Sequence, residues 1–151
     1  MYRLIFALAI SLIVVGQVLA AQSSKTVVSD VVRAAGTVAK AEKTLQSLLE
    51  QPTTDPKQAE ALVQTARGTV KTIKELLDQL DANYEALNED QRSAVRESWT
   101  ISELLSAYVD NQQDDLAGLT DKERREDARE NATCAVRRAE MLVSSVRRLA
   151  K

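Results

Sequence analysis

Residues 128–149, which read ARENATCAVRRAEMLVSSVRRL, contain the clearest pattern in the chain. Small and apolar side chains recur there at alternating intervals of four and three residues, at Ala128, Ala132, Ala135, Ala139, Leu142, Val146 and Leu149. These intervals keep the residues on one face of an α-helix, whereas a β-strand would need alternation by two. Thr120, followed by Glu123 three residues later, is the N-cap that we predict for this helix D.

Three earlier segments have the same helical spacing. Helix A is predicted from about Ser24 to Glu50, and Pro52 ends it because proline disfavours helical geometry in the preceding residue. Glu42 interrupts its inner face, and we expect this long side chain to reach solvent. The other inward residues are Val28, Val31, Ala35, Val38, Leu45 and Leu49.

Helix B is predicted from Pro56 to Leu87. Asp55 is placed to act as N-cap, Pro56 suits the first helical position, and Gln58 can complete a capping box. Two apolar ladders support this length, one at Ala59, Ala66, Ile73, Leu80 and Leu87 and the other at Val63, Val70, Leu77 and Tyr84.

Helix C is predicted from Asn88, which begins another capping-box pattern, to about Asp110. Thr100 and Glu103 share that spacing, so an interruption near Trp99 is the alternative to the continuous helix that we favour. The polar stretch after helix C predicts the one long connection of the chain.

Four amphipathic helices with mostly short connections predict an all-α fold, an up-down-up-down bundle. The bundle would be a single domain covering residues 21–151. Helices A and D carry alanine on their inner faces, so we expect them to pack as close neighbours. A longer coiled coil completed by a second chain is the alternative, because the seven-residue repeats are regular enough to permit it.

Residues 1–20 have the pattern of a secretory signal peptide. Arg3 gives a basic start, an apolar run follows, and Val18 and Ala20 suit the positions that signal peptidase reads. We predict cleavage after Ala20, or alternatively after Ala21, and therefore a secreted, extracellular protein with no stable membrane span. An uncleaved anchor helix is the alternative, but the apolar run covers about twelve residues whereas ~20 are needed to span a bilayer.

The composition argues against catalysis. The chain has 151 residues with no histidine, one cysteine and four glycines. It therefore lacks an imidazole base and the commonest zinc ligand, and one cysteine cannot build a disulfide framework. We predict a protein that is not an enzyme and has no cofactor and no metal.

Charge is divided unevenly along the chain. Residues 72–120 carry 3 basic and 11 acidic side chains, whereas residues 121–151 carry 9 basic and 6 acidic ones. We expect the basic end of helix D to lie beside Glu89, Asp90 and Glu97. Binding of nucleic acid or an anionic membrane by the basic residues of helix D is the alternative, but we favour internal complementarity because neighbouring helix faces commonly alternate in sign. The predicted export, the net acidity and the lack of interleaved aromatic residues also argue against nucleic acid. The basic residues are Arg137, Arg138, Arg147, Arg148 and Lys151. No nucleic-acid partner is predicted.

Three side chains are candidates for a functional role. Asn131 begins an Asn-Ala-Thr sequon and is either an N-glycosylation site or an unmodified residue. Cys134 is a single thiol in a protein predicted to be exported, so it forms an intermolecular disulfide or is an inert small side chain. Trp99 packs at the edge of the core, which we favour, or anchors a partner.

These observations favour a secreted helical bundle that acts by protein–protein interaction, as an inhibitor, a structural component or an effector-like factor. Its partner would be an unidentified protein, and a homodimer is one form of that interaction. An extracellular carrier of lipid or another small apolar ligand is the alternative. An enzyme is disfavoured because neither a nucleophile–base pair nor a set of metal ligands can be assembled.

Overall fold

A computed structural model has the all-helical fold that the spacing predicts. Its helices are α1 (Tyr2–Leu49), α2 (Pro56–Asp81), α3 (Glu89–Leu116) and α4 (Lys122–Leu149), with a 3₁₀ turn (Tyr84–Ala86) between α2 and α3. The structure describes residues 24–51, 53–119 and 121–151, so the predicted signal segment and its cleavage at Ala20 or Ala21 lie outside the described residues. The described part contains no β-strand. Nor does any helix there combine the length and the apolar character needed to cross a membrane.

The four helices pack as a bundle in which each lies mainly against two others. Helix α1 contacts α2 and α4, and α3 contacts the same two helices. The neighbouring positions of α1 and α4 confirm the prediction for helices A and D, and Ala35, Ala132 and Ala139 on their inner faces are fully buried. Larger side chains fill the remaining space, and burial of each leucine stabilises the fold by roughly 1.5–3 kcal/mol. The core leucines with almost no exposure include Leu45, Leu77, Leu105 and Leu142.

Polar side chains at the starts of α2 and α3 explain where these helices begin. The Asp55 carboxylate accepts a hydrogen bond from the Lys57 N–H at 3.0 Å. Asn88 and Gln91 form the predicted reciprocal capping box, which satisfies N–H groups that have no partner within the helix. The capping-box hydrogen bond predicted between the Gln58 side chain and the Asp55 backbone is not formed, so Asp55 alone caps α2.

The start of α4 differs from the prediction. Its N-cap is Asp121 and not Thr120, because the Asp121 carboxylate accepts hydrogen bonds from the N–H groups of Glu123 and Arg124. An ionised acceptor makes a stronger cap than a hydroxyl. Thr120 itself lies outside the described residues. Just before it, a Cβ on Gly118 would lie 2.1 Å from Arg124 Cδ, so glycine allows the arginine stem to lie against the connection.

The end of α2 also differs from the prediction. The helix ends at Asp81 and not at Leu87, because the chain turns at Tyr84–Ala86. Arg92 stabilises this turn, since its Nε donates to the carbonyl oxygens of Tyr84 at 3.0 Å and Leu87 at 2.9 Å. Leu87 is nevertheless buried. The apolar ladder therefore predicted the burial of Leu87 correctly and its secondary structure wrongly.

Helix α3 is continuous past Trp99, as favoured, but it extends to Leu116 rather than to Asp110. The stretch predicted as a long connection is mostly helical. Its polar residue Gln112 is buried in the core, which holds this turn against the other helices. The actual connection to α4 is short.

Candidate functional site

The outer side of α3 and α4 carries the exposed large apolar side chains of the described residues. Leu104 on α3 is 43% exposed and Met141 on α4 is 45% exposed. Tyr108 is half-buried and lies one helical turn after Leu104 on the same side of α3. Cys134 is half-buried and lies two helical turns before Met141 on the same side of α4. We refer to Leu104, Tyr108, Cys134 and Met141 as the α3–α4 face. Exposed apolar side chains rimmed by polar residues are one feature of protein contact surfaces.

Two hydrogen bonds show how α3 and α4 are placed along each other. Asn131 Nδ2 donates to Asp115 Oδ2 at 2.6 Å, and Ser98 Oγ donates to Ser145 Oγ at 2.9 Å. Both exposed apolar side chains lie between these contacts. With a rise of about 1.5 Å per residue, they are at nearly the same level of the two adjacent helices.

The predicted charge complementarity between the end of helix D and the start of helix C is confirmed at one pair. Arg148 contacts the carboxylate of Glu97. Glu89 and Asp90, which we expected beside the same basic end, form no ion pair with any described residue. The complementarity is therefore a single contact between α3 and α4.

The rim of the α3–α4 face is basic. The Arg138 guanidinium lies 3.6 Å from Met141 Sδ, and Arg137 beside it is exposed. Within the described part of the chain, neither arginine has a carboxylate partner. A surface that combines carboxylates with an apolar side chain would complement this rim.

Trp99 makes its contacts within the bundle. Its ring is half-buried against the core, and its Nε1 donates to Asp78 Oδ1 on α2 at 2.9 Å. The Lys74 ammonium lies 5.8 Å from the ring centroid, within cation–π range. The packing that we favoured for Trp99 is present, and its contact with a partner stays a prediction.

The other two candidate residues lie near each other on α4. Asn131 is half-buried, and its amide nitrogen, the atom that glycosylation would modify, is the donor to Asp115. Cys134 is a free, half-buried thiol on the α3–α4 face. Glycosylation of Asn131 and an intermolecular disulfide at Cys134 stay predictions.

An acidic cleft lies at one end of the same two helices. Side chains from both helices line it, and no described group of three or more His, Cys, Asp or Glu side chains is arranged to hold a metal ion. The lining residues are Asn111, Asp114, Asp115, Asp127, Glu130 and Asn131.

Glu42 corrects the sequence prediction, because it is buried rather than exposed to solvent. Its side chain has no exposed area, and its Oε2 accepts a hydrogen bond from Gln112 Nε2 at 2.8 Å. Gln112 is 1% exposed and belongs to the stretch predicted as a connection. The partners are 70 residues apart. Nothing in the local spacing of either helix indicates this pair.

The pair leaves one oxygen on each side chain without a partner. Glu42 Oε1 and Gln112 Oε1 are both buried and both lack a hydrogen bond. Burial raises the pKa of Glu42 from 4.5 to about 7, although the bond from Gln112 acts in the opposite direction. One proton on Glu42 Oε1 would provide a donor for Gln112 Oε1 and remove both deficits. The buried pair is therefore best satisfied as a carboxylic acid and an amide.

No model of a known protein family matches this chain, and neither the curated proteins nor the solved structures include a significant match to it.

Proposed function

We propose that this chain is a secreted, non-enzymatic helical-bundle protein that acts by binding another protein through its α3–α4 face. The observation that supports this function most directly is the pairing of exposed Leu104 and Met141 at one level of adjacent helices. Exposed apolar side chains of this size gain free energy when a partner removes them from water. The absence of histidine from the chain supports the non-enzymatic part of the proposal.

The proposed domain is an up-down-up-down bundle of residues 21–151, released by cleavage after Ala20 or Ala21. The order of contacts supports this topology, because later residues of one helix contact progressively earlier residues of its neighbour. The pairs that follow this order are Lys43–Glu140 and Gln46–Thr133, Arg67–Asp110 and Lys74–Glu103, and Ser98–Ser145 and Asp115–Asn131.

Cleavage is tested by the intact mass of the protein recovered outside its host cell. We expect a chain that begins at Ala21 or Gln22. A released chain that still contains Met1 would contradict cleavage.

The proposed partner presents an apolar side chain flanked by carboxylates. Arg137 and Arg138 supply the complementary charge beside Met141. A second copy of the chain fits this description in part, because the acidic cleft around Asp114 and Asp127 lies at the end of the same helices. The predicted homodimer is thus one outcome of the test below.

The test compares proteins retained by the immobilised wild-type chain and by two variants. Leu104→Glu/Met141→Glu places carboxylates on the face, and we expect it to lose the retained protein at least about tenfold, since two apolar contacts are removed. Ala61→Glu/Ala82→Glu is the matched control, because both alanines are exposed and lie elsewhere. Equal retention by all three chains would contradict the proposed face.

A further inference from the structure

A cleft of about 540 Å³ lies at the end of the bundle where α1 passes the start of α3 and the end of α4. Its apolar wall comes from Val28 and Val32 on α1, from Leu87 after the 3₁₀ turn, and from Leu149 on α4. The volume falls within the range of pockets that hold small ligands. The cleft is on a different part of the molecule from the α3–α4 face.

The charged side chains at this cleft are those of two lysines. Lys25 and Lys151 line it and are exposed, and neither ammonium has a carboxylate partner among the described residues. Ser24 and Ser29 are the hydroxyl-bearing residues of the same lining. The Gln91 side-chain amide is already hydrogen-bonded, because its Nε2 donates to the Leu149 carbonyl at 3.0 Å. The side-chain charges that line the cleft are therefore positive.

We infer that this cleft binds a single-chain anionic amphiphile, a long-chain carboxylic acid, with its tail against the apolar wall and its carboxylate at Lys25 and Lys151. The tail would gain free energy by leaving water, and each lysine can donate charge-assisted hydrogen bonds to the carboxylate. Such a site goes beyond binding of a protein partner. A site of this kind is also what the alternative function, a carrier of lipid or another small apolar ligand, requires.

The inference is tested by calorimetric titration of the purified protein, expressed from the full reading frame, with dodecanoate below its micelle concentration. We expect one saturable site. Dodecyltrimethylammonium, which has the same tail and the opposite charge, should bind at least about tenfold more weakly. Equal binding of both amphiphiles, or no saturable binding, would overturn the inference.

Two variants locate the site. Lys25→Glu/Lys151→Glu should weaken dodecanoate binding at least about tenfold, whereas Lys57→Glu/Lys122→Glu, at the other end of the bundle, should not. Val32→Trp should fill the cleft and abolish binding. Val27→Trp is its matched control, since Val27 is also half-buried on α1 but does not line the cleft. Loss of binding in both tryptophan variants would overturn the assignment to this cleft.

Two further measurements distinguish the cleft from the α3–α4 face and from a membrane-binding surface. The Leu104→Glu/Met141→Glu variant should bind dodecanoate like the wild type, so failure of the protein-binding proposal would leave this one standing. The second measurement is sedimentation with phosphatidylglycerol vesicles. A protein that sediments with the vesicles but shows no calorimetric binding of free dodecanoate would have a membrane-surface site, and this result would overturn the inference.

Discussion

Glu42 and Gln112 form the most consequential pair of single residues in the core. A buried carboxylate without an opposite charge is costly, and a buried oxygen without a donor adds to that cost. The described residues contain no other buried titratable side chain, so the inner faces of α2, α3 and α4 offer Glu42 only the Gln112 amide. The protonation state of this carboxyl therefore controls part of the stability.

Stability should fall as pH rises from about 4.5 to about 7. The pKa of Glu42 is 4.5 when unperturbed and about 7 in the fold, so the native state holds the proton that the unfolded chain releases in this window. The stabilisation is fully present below 4.5 and is lost as pH passes 7. The difference is on the order of 3 kcal/mol. Urea unfolding at several pH values measures it.

Glu42→Gln is the variant that isolates this effect. An amide at residue 42 can donate to Gln112 without titrating, so the pH slope attributed to Glu42 should disappear. Glu60→Gln, at an exposed position of α2, should retain it. An identical slope in the wild type and in Glu42→Gln would contradict this account.

A second prediction concerns the coupling between the two residues. Glu42→Leu should destabilise the fold by about 1–3 kcal/mol, because it leaves the Gln112 amide buried without a partner. Glu42→Leu/Gln112→Leu should recover most of that loss, since apolar pairs often replace buried polar pairs at little cost. Urea unfolding of Glu42→Leu, of Gln112→Leu and of the double variant gives the coupling energy. Additive losses would show that the pair does not interact as described.

For single residues, the sequence predicts burial well for most apolar side chains on the inner faces of the helices. It fails for Glu42 because a pattern-based argument places a charged residue in solvent. The error could not be corrected locally, because the hydrogen-bond partner is on α3, 70 residues away. Leu104 shows the converse, since it is a large apolar side chain and packing leaves it 43% exposed.

Among the helices, starts were more predictable than ends. Asp55 and Asn88 act as caps through bonds to residues two or three positions away, so the sequence contains both partners. The end of α2 depends on Arg92, which lies beyond the helix and stabilises the turn by contacting carbonyl oxygens there. The length of α3 depends on the burial of Gln112 against another helix.

The capping box of α3 contributes to the stability of the fold. Asn88→Ala should lower the free energy of unfolding by about 1 kcal/mol, because Asn88 accepts from the Gln91 N–H at 2.8 Å. Asn111→Ala is the matched control, since Asn111 is exposed in the interior of α3 and caps neither end of a helix. We expect that change to stay within about 0.5 kcal/mol. Equal losses in the two variants, measured by urea unfolding, would contradict the role of the cap.

For the whole molecule, the heptad spacing is sufficient to predict four helices and the contact between the alanine faces of α1 and α4. It is not sufficient to predict the α3–α4 face, because that surface depends on which residues of two packed helices remain uncovered. Leu104 and Met141 are 37 positions apart in the sequence and come to nearly the same level of adjacent helices only when the bundle forms.

The most direct test of the proposed function is covalent capture at the face itself. A photo-crosslinking amino acid replaces Leu104 in one chain and exposed Ala61 in another, and each is irradiated in the medium into which the protein is released. We predict a protein adduct from position 104 only, which Met141→Glu in the same chain reduces, and the mass of the adduct distinguishes a second copy from another protein. The absence of an adduct at position 104, or equal adducts at positions 104 and 61, would contradict the account.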